Sequence, residues 1–138
     1  SLVGSEMCIR DRHLLSLTDL VLLDMKYTVE EQYQHYVGCS MEKVLDFLDY
    51  LDEKQIETWL RQVLISTKND SRENLKQLAA IKKAHTCVRK CELLAFRKLC
   101  TSKYEKLNLN FPFADIPETS PEMLNRCQAD LDDLCKNK

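Results

Sequence analysis

The sequence predicts an α/β fold in which a parallel sheet is covered by helices. Two observations carry this. Short apolar runs alternate with segments of helical period, strand before helix, three times along the chain. Each connection is also long enough for a crossover between parallel strands, which a tight hairpin loop is not. The chain has 138 residues, the size of one modest domain, with 44% hydrophobic and 30% charged residues.

Leu17 to Asp24 is the first predicted strand, an apolar run bounded by polar residues. Thr28 and Glu31 have the spacing of a capping box, so a short helix is expected to start near Val29. Gly38 then breaks the chain, and Ser40 can cap the next helix. There Val44, Leu45, Phe47, Leu48 and Leu51 share one face, with Asp46, Asp49, Asp52 and Glu53 on the wet side. Ile56 to Ser66 is the second strand, carrying Trp59, Leu60, Val63, Leu64 and Ile65. Asp70 with Glu73 is the expected cap of a helix running to about Ala84, with Leu75, Leu78, Ala79 and Lys82 at helical spacing. Val88 to Phe96 is the third strand, and a loop follows from Arg97 to Thr119. Ser120, Pro121 and Glu122 open the last helix with a cap, a proline at the first helical position and an acid at the positive end of the dipole. Its stripe is Leu124, Cys127, Leu131 and Leu134, which makes Cys127 and Cys135 small core hydrophobes.

Composition removes several function classes. With two glycines the chain contains neither a P-loop nor a G-x-G-x-x-G turn. No apolar stretch reaches the ~18 residues of a transmembrane helix. Net charge is −2, which gives no global argument for nucleic acid. Residues 76–106 are locally basic, nine Lys/Arg against two Glu. They read as a solvated helix end and loop, or as a docking face for an anion. They lack the interleaved aromatics of a nucleic-acid platform. The seven cysteines are odd in number and no signal-peptide pattern precedes them, so reduced thiols and a cytoplasmic location are expected. Cys87 and Cys91, with His85 and Cys100 nearby, are a weak zinc signal. His13, His35 and His85 have no spacing that implies a triad. Asp132 and Asp133 read as a solvated pair on the last helix.

In parallel α/β sheets ligands bind at the carboxyl ends of the strands. Those ends are Asp24-Met25-Lys26, Ser66 to Asp70, and Arg97-Lys98. Asp24 and Lys26 lie one residue apart in extended chain and so point the same way. An anion beside a cation suits a zwitterion, such as the amino and carboxylate ends of an amino-acid moiety. The bland reading is a strand end that is simply solvated.

Thr18 to Lys26 (TDLVLLDMK), His35 and Val37-Gly38-Cys39-Ser40 resemble the pyruvate formate-lyase activating enzymes. Thr58 to Ile65 (TWLRQVLI), Asn69-Asp70, Glu73-Asn74-Leu75, Glu92-Leu93-Leu94 and Lys103 to Leu107 continue the likeness in order and spacing. It covers about residues 14–136, and no single motif carries it alone. These enzymes are radical SAM proteins, so the resemblance implies a partial parallel (β/α) barrel. About three of its βα units would be present, as the C-terminal part of the barrel domain over residues 13–138. It further implies a 4Fe-4S cluster and S-adenosylmethionine as cofactors. The reaction would make a glycyl radical on formate acetyltransferase, with flavodoxin or ferredoxin as electron donor. Asp24, Met25 and Lys26 would help bind S-adenosylmethionine, and Arg97 stands where the family has a histidine in that site.

Departures from the family pattern accompany the likeness. The family's C-x3-C-x2-C cluster motif lies ahead of everything present. Cys87 and Cys91 do not replace it, because the third position is Leu94. Ser66-Thr67 stands for Pro-Gly, Ala95-Phe96-Arg97 for Pro-Tyr-His, and Leu99-Cys100 for Leu-Gly. Residues 1–12 show no period and resemble a translated sequencing adapter, so they are expected to be a non-native leader. The expected object is thus an activating-enzyme fragment that cannot assemble the cluster by itself. The alternative is a degenerate, non-catalytic α/β module that binds a partner.

Overall fold

Among the described residues three strands run parallel in one open sheet, side by side in chain order. The structure, a computed structural model, describes residues 14–28, 30–37, 40–98 and 115–136. The strands are β1 (Leu20–Asp24), β2 (Glu57–Leu64) and β3 (Val88–Ala95). The helices are α1 (Glu30–Val37), α2 (Met41–Glu53), α3 (Arg72–Ala84) and α4 (Pro121–Lys136). The expected leader, Gly38, Cys39, Cys100 and most of the loop before α4 lie outside the described residues.

Register divides the sheet into two chemically different faces. Leu22 sits opposite Trp59, Asp24 opposite Arg61, Trp59 opposite Lys90, and Arg61 opposite Glu92. These residues share one face by the two-residue period, and none of them is buried. The other face carries Leu23, Leu60, Leu64, Cys91 and Leu93, all buried. It joins one core with Val44, Leu48 and Leu51 of α2, Leu75 and Leu78 of α3, and Leu131 of α4. Full burial of such a leucine contributes about 1.5–3 kcal/mol, so the helix-covered face dominates stability.

The caps follow from local chemistry, with one correction. Ser40 Oγ accepts from Glu42 N at 3.1 Å, as its position before α2 predicts. The Glu30 carboxylate joins this end, accepting from Ser40 Oγ at 2.9 Å and Met41 N at 3.0 Å. A hydrogen bond from Gln34, then the one from Ser40, holds Glu30 below the usual carboxylate range. At α3 the cap is Ser71, not Asp70: Ser71 Oγ accepts from Asn74 N at 3.1 Å. Asp70 instead accepts from Thr67 N at 3.1 Å and closes the turn before the helix. At α4, Ser120 Oγ accepts from Met123 N at 3.2 Å, as expected.

The first strand is shorter than the expected run. Leu17 N donates to Leu14 O and Thr18 N to Leu15 O, so the segment before Asp19 coils into a helical turn. The acids assigned to the wet side of α2 are also not all merely solvated. Asp52 Oδ1 accepts from Cys87 N at 2.9 Å and from Thr86 Oγ1 at 3.1 Å. Asp49 lies 2.6 Å from His85 Nε2. Both acids therefore tie α2 to the turn that enters β3. The Cys87 N–H bond is the main cause that keeps Asp52 ionised to lower pH than an ordinary aspartate.

Two turns take a left-handed backbone without glycine. Gln55 has φ 54° at the end of α2, where its N–H reaches Asp52 O and Ile56 N–H reaches Leu51 O. That paired pattern is a Schellman ending, which glycine normally serves. Thr67 has φ 66° in the turn after β2. It is the residue that stands where the resembled family carries glycine.

Along its outer edge β3 is closed by side chains. Gln128 of α4 accepts from Leu93 N at 2.8 Å and donates to Cys91 O at 3.1 Å. Its amide thereby does the work of a peptide unit from a further strand, which keeps this edge from pairing elsewhere. Further along, Phe96 N donates to Thr119 Oγ1 at 2.9 Å.

Candidate functional site at the end of the first strand

β1 ends at Asp24, and the chain continues through Met25 and Lys26 at the carboxyl end of the sheet. Lys26 Nζ lies 3.7 Å from Asp24 Oδ2, so the structure brings the two residues together as their spacing implies. Arg61 joins them from β2, its Nε donating to Asp24 Oδ1 at 2.9 Å. Asp24 thus sits between two cations, and the trio carries a net positive charge. The side chains of Asp24 and Arg61 are each 28% exposed and that of Lys26 is 44% exposed, so a ligand could reach the group. Glu92 follows Arg61 in the cross-strand row. Lys90, one step back on β3, lies 3.8 Å from Glu92 and 4.8 Å from the centre of the Trp59 ring.

Such a set can bind a carboxylate through Lys26 or Arg61 and an ammonium group through Asp24. Met25 differs from its neighbours. Its side chain is wholly buried in the core and its N–H donates to Arg61 O at 2.8 Å. It fixes where its neighbours point and does not itself reach the open face. Arg97 lies beyond β3, two strands from the pair. It is held there by Thr119 O at 3.3 Å and Glu118 Oε2 at 3.6 Å. No described contact joins it to Asp24 or Lys26.

The described thiols do not form a metal centre. Among the described residues no group of three or more His, Cys, Asp or Glu could hold an ion. Burial pushes the Cys91 thiol up to about 12, with the nearby Cys135 adding to the shift. Desolvation is also the main cause that raises Cys87, Cys127 and Cys135. Among the described residues no three cysteines come together as an iron–sulfur cluster would need. His85 is taken by Asp49 and by Ile81 O, 2.7 Å from Nδ1. Among the described helices none is long and apolar enough to cross a membrane.

Sequence reasoning missed Arg61 as a site residue. Its charge was visible in the strand sequence, but only the parallel register sets it opposite Asp24.

A domain of pyruvate-formate lyase-activating enzyme from Bacteroides vulgatus superposes with a TM-score of 0.68 at 18% identity, over 89% of this chain and 67% of that one. A radical SAM methyltransferase from Sphaerobacter thermophilus gives 0.56 at 18% identity, over 82% of this chain and 30% of that one. The chain thus shares the fold of these two structures, with three parallel strands in an open sheet among its described residues.

In sequence, the chain is similar to curated pyruvate formate-lyase-activating enzymes. It is 36% identical to that of Clostridium pasteurianum over 121 residues, 88% of this chain and 51% of the relative. It is 29% identical to the pyruvate formate-lyase 1-activating enzyme of Escherichia coli K12 over 119 residues, 86% of this chain and 48% of the relative. The chain therefore spans about half the length of the curated relatives it matches. No family model matches it.

Proposed function

We propose that this chain carries part of the S-adenosylmethionine site of a glycyl-radical-enzyme activator. The observation that supports it best is the Asp24–Lys26–Arg61 group at the carboxyl end of parallel strands. Lys26 would hold the carboxylate of the methionyl moiety, and Asp24 its ammonium group or a ribose hydroxyl. Met25 would set the backbone between them. Arg97 would take part only after release from Glu118 and Thr119.

In a complete activator the cluster and S-adenosylmethionine supply the hydrogen-abstracting chemistry. The described residues fit no cluster, so in this reading its ligands come from other sequence and this chain alone does not turn over. The protein partner would be a glycyl radical enzyme such as formate acetyltransferase, with flavodoxin or ferredoxin as electron donor, in the cytoplasm. The engaged state of Arg97 and the threonine at position 67 favour the second reading, a non-catalytic module that has kept the fold.

One titration separates the two. S-adenosylmethionine is titrated by calorimetry into the chain and into Lys26→Ala. Loss of one charge-assisted bond is expected to weaken binding by about tenfold or more. Identical isotherms for the two proteins would remove Lys26 from the site and leave the non-catalytic reading.

A further inference from the structure

The backbone that carries Lys26 is held from beneath by a buried amide chain. Asn69 is 1% exposed, Asn74 and Thr28 each 6%, and Gln62 1%. Asn69 Nδ2 donates to Lys26 O at 3.4 Å and to Val63 O at 2.8 Å, while its Oδ1 accepts from Ile65 N at 2.7 Å. Asn74 Nδ2 donates to Asn69 O at 2.6 Å and to Gln62 Oε1 at 2.7 Å. Thr28 Oγ1 donates to Asn74 Oδ1 at 2.6 Å. Residues 26 and 28 are thus pinned, across more than forty residues of sequence, to the loop after β2 and the first turn of α3.

We propose that Asn69 and Asn74 are positioning residues for the strand end: they fix the backbone of residues 25–28 and, through it, the aim of Lys26 at the ligand. Three features support this over a purely structural role. The amide anchors fall at Lys26 C=O and again at Thr28, on the far side of Lys26 from the Met25 N–H bond to Arg61 O. A strand that ends at Asp24 has no ladder bonds of its own beyond that point, apart from the one from Met25 N–H to Arg61 O. The loop that supplies Asn69 is itself held by Thr67 in a left-handed conformation, the kind of strain that persists where surroundings over-determine a geometry.

Buried amides of this kind are costly to leave half-satisfied, so removing one member loosens the group it serves. The ligand part of this inference rests on the S-adenosylmethionine reading above; the backbone part does not.

The test uses the whole chain and three variants, Thr28→Val, Asn69→Ala and Lys26→Ala. Amide hydrogen exchange is followed residue by residue, and S-adenosylmethionine affinity is measured alongside. Thr28→Val keeps shape and protects against the chance that Asn69→Ala fails to fold. Thr28→Val is expected to speed exchange at Met25 to Thr28 by about tenfold, and Asn69→Ala by at least as much. Leu93, bonded to Gln128, serves as the reference and should not change. Both variants should weaken S-adenosylmethionine several-fold, whereas Lys26→Ala should weaken it without altering exchange.

Unchanged exchange at residues 25–28, or an equal rise at Leu93, overturns the proposal. So does a local rise with ligand affinity intact while Lys26→Ala loses it. If the wild-type chain and all variants ignore S-adenosylmethionine, the site reading fails, and a local rise still supports the backbone positioning.

Discussion

Replacing Thr67 with glycine should make the protein more stable, an unusual outcome for a threonine-to-glycine change. Thr67 has φ 66° and an exposed side chain in the turn between β2 and α3. A left-handed backbone costs an L-residue with a Cβ roughly 1–2 kcal/mol. Glycine removes that cost but gives the unfolded chain more freedom, which takes back roughly 0.5–1 kcal/mol. The net gain is therefore about 0.5–1 kcal/mol. The bond at this position, from Thr67 N to Asp70 Oδ1 at 3.1 Å, comes from the backbone and survives the change. With an unfolding entropy of ~2.1 cal/mol/K per residue, that gain should raise Tm by about 2–4 °C. Thermal melts and urea titrations measure it, with an unchanged m-value showing that the denatured state is comparable. Thr67→Asn should recover part of the gain, because asparagine tolerates this region, and Thr67→Val should recover none. A Thr67→Gly protein no more stable than wild type, with m unchanged, would refute the strain argument.

Two other outcomes follow from the structure. Glu30 and Asp52 are both held below their ordinary values of 4.5 and 3.8. Their contribution is complete above those values and is lost as pH falls through the lower folded ones. The urea midpoint should thus hold from pH 7 to pH 5 and drop toward pH 3, and a double Glu30→Gln, Asp52→Asn variant should show a shallower drop. Gln128→Ala should destabilise by about 1–3 kcal/mol, since it strips both partners from the edge of β3. Dynamic light scattering should also show more self-association, and a monodisperse variant of wild-type stability would count against the edge-closing role.

Both the resemblance and the periodicities reached the same sheet from different sides. The comparisons bear out the resemblance and the fold class, and the sheet has three parallel strands among the described residues. What was legible was legible because it is local. The apolar face of α2, the Ser40 and Ser120 caps and the order of strands depend on residues three or four apart, where spacing alone decides contact. Asp70 is the expected cap because Glu73 follows it three residues later, yet Ser71 beside it is an equally good capping residue. Which one caps is settled by the turn that Thr67 imposes, and that turn is built from five residues at once.

The sequence by itself determined the elements, their order, the Asp24–Lys26 pairing and the burial of Cys127 in the last helix, where Cys135 is only partly buried. The tertiary structure decided the rest. It set Arg61 against Asp24, took Met25 into the core and Arg97 toward Glu118. It turned Asp49 and Asp52 from solvated acids into ties to the β3 turn, and built the amide bracket under Lys26. The reason is one of distance. The ties that reach Asp24, Lys26, Thr28, Asp49, Asp52 and Arg97 span 21 to 46 residues of chain. No periodicity reaches that far, and only parallel register and helix packing bring such groups within hydrogen-bonding range.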